Sequence, residues 1–336
     1  MALVSIEQAI EDIRNGKMVV IVDDEDRENE GDIVFAGAFS TPEKVNFAIT
    51  HAKGVVCTPV SKEVAKKLGF EPMVKDNTSN HETAFTITVD AKEATTGVSA
   101  MERDLTIKLI TNYKLSTPDD FVAPGHIFPL IAKDGGVLER IGHTEASIDL
   151  CVLAGLAPVS VICEIVNEDG TMARRDDLDI FCEKFGLNMA SIADLVKYRL
   201  KHETLVKFSE LKTGLLAGEQ TNFYEVKDHK GRTHKVYVFG EIKSKTNVKF
   251  HQTISDYEFL SGAKFNEFKR AMEILKADGG VLIFFDEQNE DEIKNFGIGA
   301  QILAHLNIKE LTVISKSKDK EFAGLSGFGL NITGYR

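Results

Sequence analysis

Residues 23–32 read DDEDRENEGD, seven carboxylates and one arginine in ten positions. The run sits between two short apolar stretches, Met18 to Val22 and Ile33 to Phe39. A carboxylate cluster at a strand's end is what a hard divalent cation requires, because Mg²⁺ is held by one or two carboxylates plus substrate and water oxygens. In an extended loop Glu28, Glu30 and Asp32 would project to one side. Arg27 beside them would suit a phosphate or tether the loop. The competing reading of the run alone is an ordinary charged turn. Three further stretches weigh against that. His126 follows Pro-Gly in APGHIFPL, which places it on a turn. Arg140, Ile141, Gly142, His143, Thr144 and Glu145 stand where a loop enters a helix, an arrangement that suits an anion. Glu164 lies inside the apolar strand VICEIV. A buried carboxylate must be neutral, paired or working, and a raised pKa would suit proton transfer.

These residues must be positioned by alternating elements. Ser5 with Gln8 caps a first helix that stops at Gly16. Strand MVVIV, the acidic loop and strand IVFAGAF follow, then a helix opened by Thr41 and Pro42 and ended by Gly54. VVCTPV reads as a strand, Ser61 to Leu68 as a short helix closed by Gly69, AFTITVD as a strand. Ser99 and Glu102 cap the next helix, which carries Arg103 and Thr106. Thr144 is the expected N-cap of the helix over 144–154, and helices follow near 174–185 and 190–200. Beyond residue 200 come two strands around the turn Asp228 to Gly231, a helix over 263–276, strand GVLIFF, a helix over 298–306 and strand LTVIS. The expected class is α/β (α+β): a mixed-sheet domain over residues 1–202, then a smaller α/β domain over 203–336.

A net charge of −12 argues against a nucleic-acid binder, which needs a basic face. No apolar run approaches the roughly 20 residues that span a bilayer, and the N-terminus does not read as a signal peptide. Cys57, Cys151, Cys163 and Cys182 form no C-x-x-C pair and lie in apolar surroundings. Buried free thiols in a reducing cytoplasm are the expectation.

Four strings, DDEDRENEGD, GHIFPL, RIGHTEASIDL and ICEIVNEDGTMAR, occur in that order. Together they resemble the 3,4-dihydroxy-2-butanone 4-phosphate synthases of riboflavin biosynthesis, over residues 3–200. The resemblance implies conversion of the sugar phosphate ribulose 5-phosphate into formate and L-3,4-dihydroxy-2-butanone 4-phosphate. It also implies Mg²⁺ or Mn²⁺, and a homodimer with sites at the subunit interface. By position Glu28 and His143 match metal ligands; Arg27, Asp32 and Arg140 to Thr144 match sugar-phosphate contacts; His126 and Glu164 match residues essential for catalysis. Glu30, Ser99, Arg103 and Thr106 fall in motifs that line the same site. Glu102 stands where the family often shows Asp, as a helix-cap acid. The residue types suit the chemistry, since removing a proton next to a ketone calls for a carboxylate or histidine base.

Residues 203–336 resemble GTP cyclohydrolase II, most clearly in FGIGAQILAHLNIKELTVIS and AGLSGFGL. That family uses a zinc ion held by three cysteines and an arginine-bearing glycine loop for the GTP phosphates. This half has no cysteine, and only His251, Asp256, Glu258 and Glu267 are conceivable ligands in the matching stretch. DEQNEDEIKN, with five acids, stands where the glycine-arginine loop belongs. The expectation is a domain without zinc or GTP turnover, serving dimer stability, regulation or protein binding; the alternative is a bifunctional enzyme.

Overall fold

The computed structural model describes residues 3–23, 27–79, 83–228, 231–253, 255–285, 292–315 and 330–336, with 263 and 292–297 described by backbone alone. The chain divides into two compact units, Met1–Tyr198 and Arg199–Arg336.

The first unit is built on seven strands: β1 (Val19–Val22), β2 (Gly31–Ala36), β3 (Cys57–Val60), β4 (Val89–Ala91), β5 (Phe121–Ile131), β6 (Ser160–Glu164) and β7 (Asn188–Ser191). They form one mixed sheet in the order β4-β5-β3-β6-β2-β1-β7. Helices α1 (Ile6–Arg14), α2 (Pro42–Phe47), α3 (Lys62–Leu68), α4 (Ala100–Thr111), α5 (His143–Leu153), α6 (Arg175–Phe185) and α7 (Ile192–His202) complete it. Strand alternation divides the side chains between two faces. Val20, Val22, Ile33, Phe35, Val161 and Cys163 join one core cluster with Ile107 of α4 and Leu178 and Cys182 of α6. The intervening residues Asp32, Ser160 and Glu164 therefore belong to the opposite face, which α5 covers. Ser160 confirms it by donating its hydroxyl to Ser147 of α5 at 2.7 Å. All four cysteines are buried and free.

Several local expectations change. Residues 121–131 form one long strand rather than a Pro-Gly turn. Gly125 is there for packing, since a Cβ on it would lie 2.1 Å from the Val89 carbonyl carbon on β4. Of AFTITVD only Val89 and Asp90 belong to a strand, β4, with Phe85 and Thr86 in isolated bridges. IVFAGAF leaves the sheet after Ala36 through a single 3₁₀ turn, Gly37–Phe39. The N-cap of α5 is Gly142, not Thr144. Thr144 is buried inside the first turn. A Cβ at Gly142 would lie 2.3 Å from Arg140 Nη1, so the close pass of that guanidinium outweighs the better capping propensity of threonine.

The second unit has its own sheet, order β15-β14-β12-β13-β11-β10-β8, with β9 paired to β10. Its strands are β8 (Val206–Phe208), β9 (Lys212–Leu216), β10 (Glu219–Asp228), β11 (Thr233–Phe239), β12 (Lys245–Gln252), β13 (Gly280–Phe285), β14 (Glu310–Val313) and β15 (Asn331–Tyr335). Helices α8 (Asp256–Ser261), α9 (Ala263–Asp278) and α10 (Glu292–His305) accompany them. β12 runs parallel to β13 and β14, around a core of Val248, Val281, Ile283, Ile302 and Leu311. Most of DEQNEDEIKN and of AGLSGFGL lies outside the described residues.

Candidate active site

β2 and β6 pair so that Asp32 stands directly opposite Glu164. Glu164 is at the end of its strand rather than in the middle, half-buried, and accepts the Val55 N–H at 2.8 Å. Gly54 makes room for it, because a Cβ there would lie 2.5 Å from both the Glu164 carbonyl oxygen and its carboxylate. Asp32 is buried. Burial first, opposed by His143 and reinforced by Glu164, pushes its carboxyl up to about 7. Asp32 thus carries a raised carboxyl group on the face it shares with Glu164.

The acidic loop is not extended. Asn29 is left-handed, φ +54°, which breaks the alternation between Glu28 and Glu30. Glu28 faces His143, with Oε2 3.7 Å from Nδ1, and meets Arg27 at 2.8 Å. Glu30 turns instead toward Arg174, 3.7 Å away. Asp23 folds the loop upon itself: Oδ1 accepts the Glu30 N–H at 2.9 Å, Oδ2 the Arg27 guanidinium at 2.7 Å and the Glu28 N–H at 3.2 Å. Arg174 Nη1 donates to the carbonyls of Glu28 and Asn29. Arg27 is thereby a tether. Asp24 to Asp26 lie outside the described residues.

His143, first residue of α5, is buried. Burial favours the neutral ring, but Asp32, Glu28 and Asp23 outweigh it and raise the ring to about 9. The His143 ring, and then the Arg27 charge, hold Glu28 down to about 2 against burial. Burial and the Glu28 charge raise Glu30. Among the described residues Asp23, Glu28 and His143 form a group whose ligand atoms lie within 4.8 Å of one another. His143 Nε2 is buried with no hydrogen-bond partner among the described residues. Two carboxylates, one imidazole and an unsatisfied buried nitrogen fit a divalent cation.

Arg140 lies beside the N-terminus of α5, paired with buried Glu145 and donating to Thr83 Oγ1 at 3.1 Å. Ile141 and Gly142 carry the chain from it into the helix.

The remaining expected residues gather around β4 and α4. Asp90 accepts the His126 N–H at 2.8 Å through Oδ1 and meets His126 Nδ1 at 2.7 Å through Oδ2. A buried carboxylate at Nδ1 holds the proton there and leaves Nε2 as the base. Ser99 is the N-cap of α4. Thr106 Oγ1 accepts the Ala91 N–H and donates to the Glu102 carbonyl, so both its functions brace the backbone. Arg103 Nε is buried with no hydrogen-bond partner among the described residues, and its charge reaches Cys163, on the sheet face opposite Asp32 and Glu164. The structure therefore brings Arg27, Glu28, Asp32, His143 and Glu164 together and sets His126, Ser99, Arg103 and Thr106 in a second group. Asp23, Asp90 and Arg174 escaped the sequence reading, although each lies in or beside a quoted string.

In the second unit His251 is walled by Phe259, Phe268 and Phe284, with ring centroids 4.9–5.3 Å away. Burial lowers it to about 4, so the ring is neutral. Asp256 and Glu258 are exposed on α8. A cleft of about 1090 Å³ lies at the opposite end of β12, where Lys276 and Arg336 are paired with Glu219 and Asp278.

Both halves of the chain are similar to known proteins. The family model for 3,4-dihydroxy-2-butanone 4-phosphate synthase matches residues 7–198, and that for GTP cyclohydrolase II matches residues 286–336. A 3,4-dihydroxy-2-butanone 4-phosphate synthase of Sulfurospirillum multivorans is 54% identical, covering 98% of this chain and 94% of that one. The solved structure of RibBX, a two-domain 3,4-dihydroxy-2-butanone 4-phosphate synthase from A. baumannii, is 38% identical, with a TM-score of 0.85 and 99% of each chain covered. A synthase solved in complex with two magnesium ions is 37% identical, with a TM-score of 0.57, over 60% of this chain and 98% of that one. With the family model matching residues 7–198 and a relative 54% identical over 98% of the chain, this chain belongs to the 3,4-dihydroxy-2-butanone 4-phosphate synthase family.

Proposed function

We propose that the first unit performs its family's reaction, turning D-ribulose 5-phosphate into formate and L-3,4-dihydroxy-2-butanone 4-phosphate, and that the second unit catalyses nothing. One observation carries the site assignment: Glu28 and His143 converge beside Asp32 and Glu164, with His143 Nε2 buried and unsatisfied. Glu28 and His143 would hold Mg²⁺ or Mn²⁺, and such an ion supplies charge that polarises a ketone oxygen. His143 and Arg27 keep Glu28 ionised, and Asp23 aims it by accepting its backbone N–H. Glu164 and His126 are the proton-transfer groups, His126 with its tautomer set by Asp90. Asp32, near neutrality, can accept a hydrogen bond or give one. Arg103, Arg140 to Thr144 and the first N–H groups of α5 serve the phosphate and hydroxyls of the substrate, with Glu30, Ser99 and Thr106 shaping the walls.

A homodimer suits the division of the site residues into two groups. Ile87, Val98, Met101 and Val122 are exposed apolar side chains on the segments around Asp90 and His126, and a second copy would cover them. For the second unit, the absence of any cysteine beyond Cys182 and the aromatic walls around His251 support a module without zinc. The test is incubation of the purified chain with ribulose 5-phosphate and Mg²⁺, following formate. Formate that appears and is abolished by EDTA is expected; formate unchanged in excess EDTA overturns the metal reading. GTP should yield no formate, and the protein should contain no stoichiometric zinc.

A further inference from the structure

Glu102 does more than cap α4. An N-cap needs only the Glu102 N–H to Ser99 Oγ bond, here 3.2 Å, to which the Ser99 hydroxyl adds a bond to Glu102 Oε2 at 3.3 Å. The same carboxylate also accepts from Thr95 N at 2.6 Å, Thr95 Oγ1 at 2.7 Å, Gly97 N at 3.1 Å and Thr96 Oγ1 at 3.2 Å. Four of its contacts thus reach out of the helix into the loop Thr95–Gly97. Gly97, left-handed at φ +75°, presses against the Asp90 carboxylate, since a Cβ on it would lie 2.0 Å from Oδ2. Oδ2 is the atom that meets His126 Nδ1. A second link from the same turn of α4 reaches the other side of Asp90: Thr106 Oγ1 donates to the Glu102 carbonyl at 3.0 Å and accepts from Ala91 N at 2.8 Å.

We propose that Glu102 is a positioning residue, fixing the Thr95–Gly97 loop as the back wall of Asp90 and so the orientation of the His126 ring. The inference deepens the proposed function and rests on it only where His126 is given a role in proton transfer. A buried carboxylate with one open flank can rotate away from its imidazole; the loop closes that flank. Glutamate reaches two hydroxyls and two backbone N–H groups beyond the helix, which an alanine cannot replace and an aspartate reaches in part.

The test uses the full-length, Mg²⁺-loaded protein and the variants Glu102→Ala, Glu102→Asp and Gly97→Ala. The first readout is the proton resonance of the His126 Nδ1–H held by Asp90, assigned by its loss in His126→Ala. The second is the separate effect on kcat and KM for ribulose 5-phosphate. Glu102→Ala is expected to broaden or erase the resonance and to lower kcat by about 10–100-fold, the range seen when an outer supporting partner is lost, with KM nearly unchanged. Glu102→Asp should recover part of both. Gly97→Ala pushes on Asp90 without touching Glu102 and should erase the same resonance, so the proposal stays testable if Glu102→Ala fails to fold. Resonance lost with kcat intact supports the positioning and counts against His126 as a proton-transfer group. A resonance and kcat that survive in Glu102→Ala while thermal stability falls would reduce Glu102 to a helix cap and overturn the proposal, as would a resonance that survives Gly97→Ala.

Discussion

Asp32 and Glu164 face each other across β2 and β6, two carboxylates on one surface of the sheet, with Asp32 raised to about 7. Like charges so placed resist ionising together. Glu164→Gln should lower turnover by about 10²–10⁴-fold, the usual contribution of a proton-transfer group. The amide keeps an oxygen for the Val55 N–H, so the thermal midpoint should hardly move. Near-wild-type rates would remove Glu164 from the chemistry. His126→Ala should show a comparable loss.

Cation binding should depend steeply on pH. The His143 ring must shed its proton to ligate, and its folded-state pKa is raised from 6.5 to about 9. The protonated ring favours the cation-free fold below 6.5, and that contribution is lost as pH rises through about 9. Affinity for Mn²⁺ runs the other way, climbing about tenfold per pH unit up to that point and flattening above it. Titration of Mn²⁺ by electron paramagnetic resonance across pH 6–10 measures the slope; a flat profile excludes His143 as a ligand. Glu28→Gln and His143→Ala should each raise the Mn²⁺ requirement.

Arg174 holds the carbonyls on both sides of left-handed Asn29, those of Glu28 and of Asn29 itself. Arg174→Gln frees that turn while leaving Glu28 itself unchanged. Mn²⁺ affinity should fall about 10–100-fold, with kcat recovered at saturating metal. A kcat that stays low at saturation would place Arg174 at the substrate instead.

Gly54→Ala brings a methyl group to 2.5 Å from the Glu164 backbone oxygen, which cannot retreat within β6. A loss of about 1–3 kcal/mol follows from such overpacking, read by urea unfolding, together with a fall in turnover as Glu164 is displaced.

What could be read from the chain follows the physics of each residue. Acids packed beside apolar strands and a glutamate interrupting VICEIV are conspicuous because burial penalises them, so Glu28 and Glu164 stood out. Asp90 did not, because an aspartate ending a short strand reads as a surface residue and its partner lies 36 positions away. Pro-Gly signals a turn by backbone preference, yet Gly125 serves the close approach of β4 within a strand. Gly142 replaced Thr144 as cap because Arg140 needs the space. Tertiary contact decided each of these, and no local rule carries it. Asp23 was quoted within its run, but seven acids of one type conceal which one organises the rest.

Helix α5 is buried along its whole first two turns, from His143 through Cys151. After His143, three of its polar residues are satisfied from within, Glu145 by the Lys133 N–H, Asp149 by the Val137 N–H and Ser147 by Ser160. Such a helix cannot fray at its first residue without opening the sheet beneath it. Its hydrogen-bonded amides, from Ala146 onward, should therefore exchange with solvent deuterium only through global unfolding of the first unit. Loss of His143 from its place and loss of the native core would then be one event, so heat inactivation should track the melting of the unit and precede it nowhere.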